Sequence, residues 1–136
     1  MNKEEIRRQM IDKRSKLSDE LISKKSRKIK EKLFDMDIYK KAESIYIYMD
    51  FNFEVSTREI IVDALNNGKK VAIPKIINNK MEFYYISSID DFVIGSYGIR
   101  EPISNEIATE QKPLIIMPGV AFDNSKHRIR VWQRIL

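Results

Sequence analysis

Lys3 and Arg7 stand four residues apart near the start of the chain. On a helix that spacing puts both cations on one face, where they can grip a polyphosphate together. The other end of the chain carries a second phosphate signal in disguise. Written back as codons AGG GTA TGG CAA AGG ATT TTA and read from the second base, Arg130-Val131-Trp132-Gln133-Arg134-Ile135-Leu136 becomes Gly-Tyr-Gly-Lys-Gly-Phe. Glycines in such a loop let backbone N–H groups approach phosphates, which the Cβ atoms of Arg130, Val131 and Trp132 would block. A one-base frameshift ending in a stop after Leu136 is therefore expected. Two other constellations are set aside on physical grounds. Asp90-Asp91 has the look of a carboxylate pair, but neighbouring residues point different ways and Phe92 follows, so a helix start is expected there. His127 sits in a polar run and is read as a solvated loop residue.

Composition narrows the chemistry. The 136 residues contain no cysteine, which excludes disulfides, thiolate catalysis and Cys-ligated metal centres, and a single histidine excludes a histidine-rich metal site. The length suits one domain, expected to span residues 1–136. No apolar stretch approaches the roughly 20 residues that span a bilayer, and the charged start MNKEEIRRQM lacks the apolar core of a signal peptide. A cytoplasmic location, no membrane contact and a monomer are expected. The net charge of +5 would suit nucleic acid or an anionic small molecule. Its excess lies before residue 42, where Leu21, Ile22, Ile29 and Leu33 recur at helical spacing opposite the run Lys24 to Lys32. With no aromatic platform among those cations, they read as a solvated helix face, and nucleic acid is not expected as a partner.

The elements that would position these groups are legible in outline. Lys3 to about Lys16 reads as a helix with Ile6, Met10 and Ile11 as its apolar stripe, and Ser18 caps a second helix running to about Asp35. Ser44 to Met49 is rich in β-branched and aromatic residues, as a strand should be. Ser56-Thr57-Arg58-Glu59 has the form of a capping box opening a helix that stops at Asn66-Asn67-Gly68. Short strands are expected at Val71 to Pro74, Met81 to Ile86 and Leu114 to Met117. Between them, residues 87–113 are punctuated by Gly95, Gly98, Pro102 and Pro113, with a short helix expected near Ile89 to Phe92. Strands alternating with a helix predict an α/β fold, with a mostly parallel central sheet flanked by helices and two helices at the N-terminus.

One stretch carries a family likeness. Leu114-Ile115-Ile116-Met117-Pro118-Gly119-Val120-Ala121-Phe122-Asp123, followed by Arg128, resembles the strand, PG-x-AFD segment and arginine that lead into a GYGxGYYD-like loop in 5-formyltetrahydrofolate cyclo-ligases, also called 5,10-methenyltetrahydrofolate synthetases. The resemblance covers nearly the whole chain in order up to Arg128 and stops at Arg130, so the C-terminal part of the family fold is expected to be missing.

The resemblance implies ATP, its Mg²⁺ and a reduced folate bound together in the crevice outside the carboxyl ends of the strands. It also implies the reaction: phosphorylation of the formyl oxygen, attack by the neighbouring folate nitrogen on the activated carbon, ring closure and loss of phosphate. Positioning and charge neutralisation would then dominate catalysis. By the same resemblance Lys3 and Arg7 contact ATP, and Arg128 binds and stabilises transferring phosphate charge. Glu54 becomes the carboxylate that accepts from the amino-pyrimidine edge of the pterin. Met49, Phe51, Met81 and Tyr97 would add apolar and aromatic walls for the substrate rings, and Gly98-Ile99-Arg100-Glu101-Pro102 resembles a G-I-x-E-P turn framing the same pocket. Without its glycine loop the chain is expected to be impaired. A non-catalytic folate or nucleotide binding module, and a basic RNA-binding protein using the first two helices, are the alternative readings.

Overall fold

The computed structural model describes residues 2–51, 53–95 and 98–129. Helix α1 (Lys3–Ser15) begins where Asn2 Oδ1 accepts the Glu5 N–H at 2.8 Å, and α2 (Asp19–Asp35) where Ser18 Oγ accepts the Leu21 N–H at 3.1 Å. Each cap satisfies an N–H that has no partner within its helix, and each is followed by acidic residues at the positive end of the dipole. A short helix α3 (Asp37–Lys41) delivers the chain to strand β1 (Ser44–Ile47), all four of whose residues are buried.

That unbroken burial marks β1 as a strand covered on both faces. It pairs in parallel with β2 (Lys70–Ile77) on one side and β6 (Leu114–Ile116) on the other, and with β3 (Lys80–Ile86) beyond β2 the sheet is ordered β3-β2-β1-β6. Helix α4 (Arg58–Asn66) makes the β1-to-β2 crossover and buries Ile60, Ile61 and Ala64. These join Ile45, Ile47, Val71 and Ile73 of the sheet in a core completed by Tyr39, with Leu33 and Phe34 of α2 packed against it.

Strand β3 (Lys80–Ile86) runs antiparallel to β2, because only Asn78 and Asn79 separate the two. Both asparagines have positive φ, 52° and 62°, the backbone of a two-residue hairpin whose twist matches that of the strands. Parallel pairing therefore holds only where a helix fits between strands. Pro74 is tolerated within β2 because β1 pairs only with Lys70, Val71 and Ala72, so the proline removes no N–H from that ladder.

Two expected features take another form. Residues 89–92 do not make a helix: Asp91 Oδ2 accepts the Ser87 and Ser88 N–H groups at 3.2 and 3.1 Å and fixes a turn, after which β4 (Phe92–Ile94) pairs with β5 (Arg100–Pro102). The Ser56 to Glu59 capping box does not close either. Ser56 N–H donates to Ser26 Oγ of α2 at 2.9 Å, and Glu59 turns out to pair with Lys30. Tertiary partners on α2 outcompete the local cap. The last described elements, β7 (Ala121–Phe122) and β8 (Arg128–Ile129), form a hairpin against which α1 packs.

Candidate functional site

β1 and β6 end side by side, and the backbone that follows β1 turns sharply. Asp50 organises this turn. Its Oδ1 accepts from Thr57 N–H at 3.2 Å and Thr57 Oγ1 at 3.0 Å, and Arg100 Nη2 reaches the Asp50 carbonyl at 3.2 Å and its carboxylate at 3.4 Å. Thr57 is buried, so the far end of the loop is anchored to its beginning. Inside that clasp, Glu54 Oε1 accepts the Phe51 N–H at 2.7 Å, and Phe53 takes a left-handed backbone with φ of 64°. A non-glycine residue held there is a strained position of the kind functional loops retain.

The turn closes one side of an apolar cleft of about 360 Å³. Tyr48, Phe53 and Glu54 come from the β1 loop, Ile22, Ser26 and Ile29 from α2, Arg14 from α1, and Met117, Gly119 and Phe122 from the segment after β6. The lining is concave and mostly apolar with few polar groups, the usual character of a small-molecule site. Its place at the carboxyl ends of parallel strands is where open α/β sheets bind ligands.

Within this apolar surround the Glu54 carboxyl is pushed up to about 7, chiefly by burial, against which the Phe51 N–H and the Arg14 charge work in the opposite direction. Burial likewise raises the Tyr48 phenol, whose O–H donates to the Val55 carbonyl at 3.0 Å.

The segment after β6 brings Arg128 back over the strand end. Arg128 Nη1 donates to the Pro118 carbonyl at 2.7 Å, and Nη2 lies 3.6 Å from Met117 Sδ. Since β8 pairs with β7 and α1 packs on β7, Arg128 and the helix carrying Lys3 and Arg7 belong to one region. His127 is exposed, its Nδ1 2.9 Å from Asp123 Oδ2.

The sequence matches the 5-formyltetrahydrofolate cyclo-ligase family over residues 1–130. The chain belongs to that family. A probable 5-formyltetrahydrofolate cyclo-ligase of Schizosaccharomyces pombe is 32% identical over 95% of this chain and 67% of its own length. A probable cyclo-ligase of Caenorhabditis elegans is 26% identical over 88% of this chain and 63% of its own, and the mouse cyclo-ligase 26% over 83% and 61%. The chain thus spans about two thirds or less of these relatives. Among solved structures, the 5,10-methenyltetrahydrofolate synthetase of Aquifex aeolicus superposes with a TM-score of 0.86 at 27% identity, covering 99% of this chain and 74% of that one. The Mycoplasma pneumoniae synthetase, 19% identical with a TM-score of 0.73, shares the fold.

The expected cyclo-ligase residues fall in different places. Glu54 lines the cleft, and Phe51 is half-buried beside it, its ring lying against Gly98, whose φ of 72° is one that glycine adopts freely. Met49 is only 3% exposed and belongs to the hydrophobic core. Met81 sits on β3 opposite Ile76. Among the described residues lining the cleft, neither methionine appears. Lys3 is exposed and Arg7 half-buried on α1. Tyr97 and the 130–136 tail lie outside the described residues.

The G-I-x-E-P turn has a structural task as well: Glu101, 8% exposed, accepts the Ile76 N–H of β2 at 2.7 Å. Sequence reasoning missed Arg14, Tyr48 and Phe53. Arg14 had a signal, for it follows Arg7 by seven residues and Lys3 by eleven, which places all three cations on one face of a 3.6-residue helix.

Proposed function

We propose that the cleft beside Glu54 holds the pterin of 5-formyltetrahydrofolate, and that the cyclo-ligase fold, as a cytoplasmic monomer, converts this substrate to 5,10-methenyltetrahydrofolate at the expense of ATP. The observation that carries the reading is Glu54 itself. A carboxylate with one backbone N–H partner, in an apolar cleft at the carboxyl end of a parallel sheet, has acceptor capacity left for a ligand with two adjacent donors, and the amino-pyrimidine edge supplies them. Phe53 and Tyr48 would pack against the rings.

ATP would lie toward the region shared by α1 and the β7–β8 hairpin, with Lys3, Arg7 and Arg128 supplying positive charge to its phosphates. Among the described residues no cluster of three carboxylates or histidines is arranged to hold a metal ion. Mg²⁺ held mainly by phosphate oxygens needs only one or two carboxylates, so a phosphate-borne Mg²⁺ fits a site with this donor set. In the proposed reaction the formyl oxygen takes the γ-phosphoryl group and ADP leaves. The second folate nitrogen then attacks the activated carbon, and phosphate departs with the former formyl oxygen. The protein's part is to hold the two substrates in line and neutralise charge.

Calorimetric titration of the chain with 5-formyltetrahydrofolate tests the pocket, and methenyl absorbance with ATP and Mg²⁺ tests the reaction. Absence of saturable folate binding would overturn the assignment of the cleft.

A further inference from the structure

Among the described residues, the one buried side-chain nitrogen or oxygen without a hydrogen-bond partner is Arg14 Nε. A guanidinium N–H left unpaired in apolar surroundings is costly, and such groups in native structures call for an explanation. Arg14 lines the cleft with Glu54, Tyr48 and Phe53, and the two aliphatic hydroxyls of the same lining are engaged elsewhere, Ser26 Oγ by Ser56 N–H and Thr57 Oγ1 by Asp50. Arg14 and Glu54 are near enough for the cation to act on the carboxylate, yet among the described residues no ion pair joins them. The cleft therefore sets an acceptor with capacity in reserve beside a guanidinium group that makes no ion pair with it among the described residues.

The amide edge of a 2-amino-4-oxopyrimidine carries the complementary order: amino donor, ring N–H donor, carbonyl acceptor. We propose that Arg14 is a specificity-determining contact for this edge, donating to the 4-oxo oxygen while Glu54 accepts from the amino and ring N–H groups. The proposal rests on the folate assignment of the cleft and adds a residue and a selection rule to it. A 4-amino ring turns a donor toward the guanidinium and, having lost the adjacent ring N–H, also turns a lone pair toward Glu54, so both side chains select 4-oxo over 4-amino ligands and Arg14 sets part of that preference.

The test measures dissociation constants of 5-formyltetrahydrofolate and of its 4-amino counterpart, which differ in the 4-substituent and the adjacent ring N–H, for the wild-type chain, Arg14→Leu and Arg14→Lys, with thermal unfolding midpoints for each. The wild type should prefer the 4-oxo ligand by about 10- to 100-fold, the range for a hydrogen bond to a charged group. Arg14→Leu should narrow the preference by about 5- to 10-fold, leaving the part that Glu54 sets at the ring nitrogen, with Arg14→Lys in between. A merely structural arginine would weaken both ligands together and leave their ratio unchanged, which overturns the proposal. So does a wild type that binds both equally, a comparison that needs no variant to fold. Failure of the wild type to bind 5-formyltetrahydrofolate at all refutes the folate cleft itself; intact binding with an unmoved ratio refutes only the role of Arg14.

Discussion

Glu54 and Glu101 each accept one backbone N–H at 2.7 Å, from Phe51 and Ile76, and they do opposite work. Glu101 is almost fully buried between strands, and a Cβ placed on Gly95 would fall 1.7 Å from its Oε1, so its carboxylate occupies the space that glycine leaves. Glu54 borders a cleft of about 360 Å³. One carboxylate is closed in by protein, the other faces room for a ligand. A buried hydrogen-bonded acid thus becomes a functional candidate only when its surroundings leave it something further to bind.

The largest effect expected from breaking this contrast is at the open member. Glu54→Gln replaces one acceptor with a donor at the same place, and 5-formyltetrahydrofolate affinity should fall by about 1 to 3 kcal/mol. The folded chain should keep or gain stability, since a carboxyl raised by burial is replaced by a neutral group. Calorimetry and thermal melts on the same samples separate the two. Undiminished affinity would remove Glu54 from the site.

At the closed member the expected effect falls on stability. Gly95→Ala forces Glu101 out of place and strands the Ile76 N–H, at a cost of about 1 to 3 kcal/mol from overpacking and a lost partner. Chemical denaturation should show it. Folate affinity measured well below the new midpoint should stay near the wild-type value.

The contrast can be sharpened with pH. Glu54 must be ionised to accept two donors, and in the free chain its carboxyl titrates near 7, so affinity should rise by roughly tenfold between pH 6 and 8. Stability runs the other way. Because the folded value lies above the ordinary 4.5, the contribution of Glu54 is fully present below that value and is lost as pH rises through about 7. Opposite slopes for affinity and unliganded stability, both flattened in Glu54→Gln, are the expected signature. Parallel slopes would assign the titration to another group.

How far these regions could be read from sequence follows from where their partners lie. Ser18 caps α2 as expected because donor and acceptor are three residues apart. The Ser56 box failed because Ser26, thirty positions away, supplies the acceptor for Ser56 N–H, and no local pattern carries that information. Glu54 could be singled out by motif, while its strained neighbour Phe53 could not, since left-handed backbone at a bulky residue is imposed by the surrounding clasp. Arg14 was legible through helical spacing, though its orphaned Nε emerges only from packing. β3 was seen as a strand, but its direction depended on the Asn78-Asn79 turn.

The smallest expected effect belongs to a third carboxylate, at the opposite end of the sheet. Glu110 pairs with Lys70 at 2.9 Å, with the lysine side chain 65% exposed, and this ion pair raises the Lys70 ammonium above its ordinary value. The contact is open to solvent and screened by salt, and pairs of this kind contribute about 0 to 1 kcal/mol. Glu110→Gln keeps the length and polarity of the side chain and lies away from the cleft, whose lining does not include it among the described residues. Stability should therefore barely shift, and less still at high salt, with folate affinity and its pH slope unchanged. A change in affinity here as large as that of Glu54→Gln would mean that any lost carboxylate weakens binding through the general field of the protein, and the distinction between an open and a closed acid would lose its meaning.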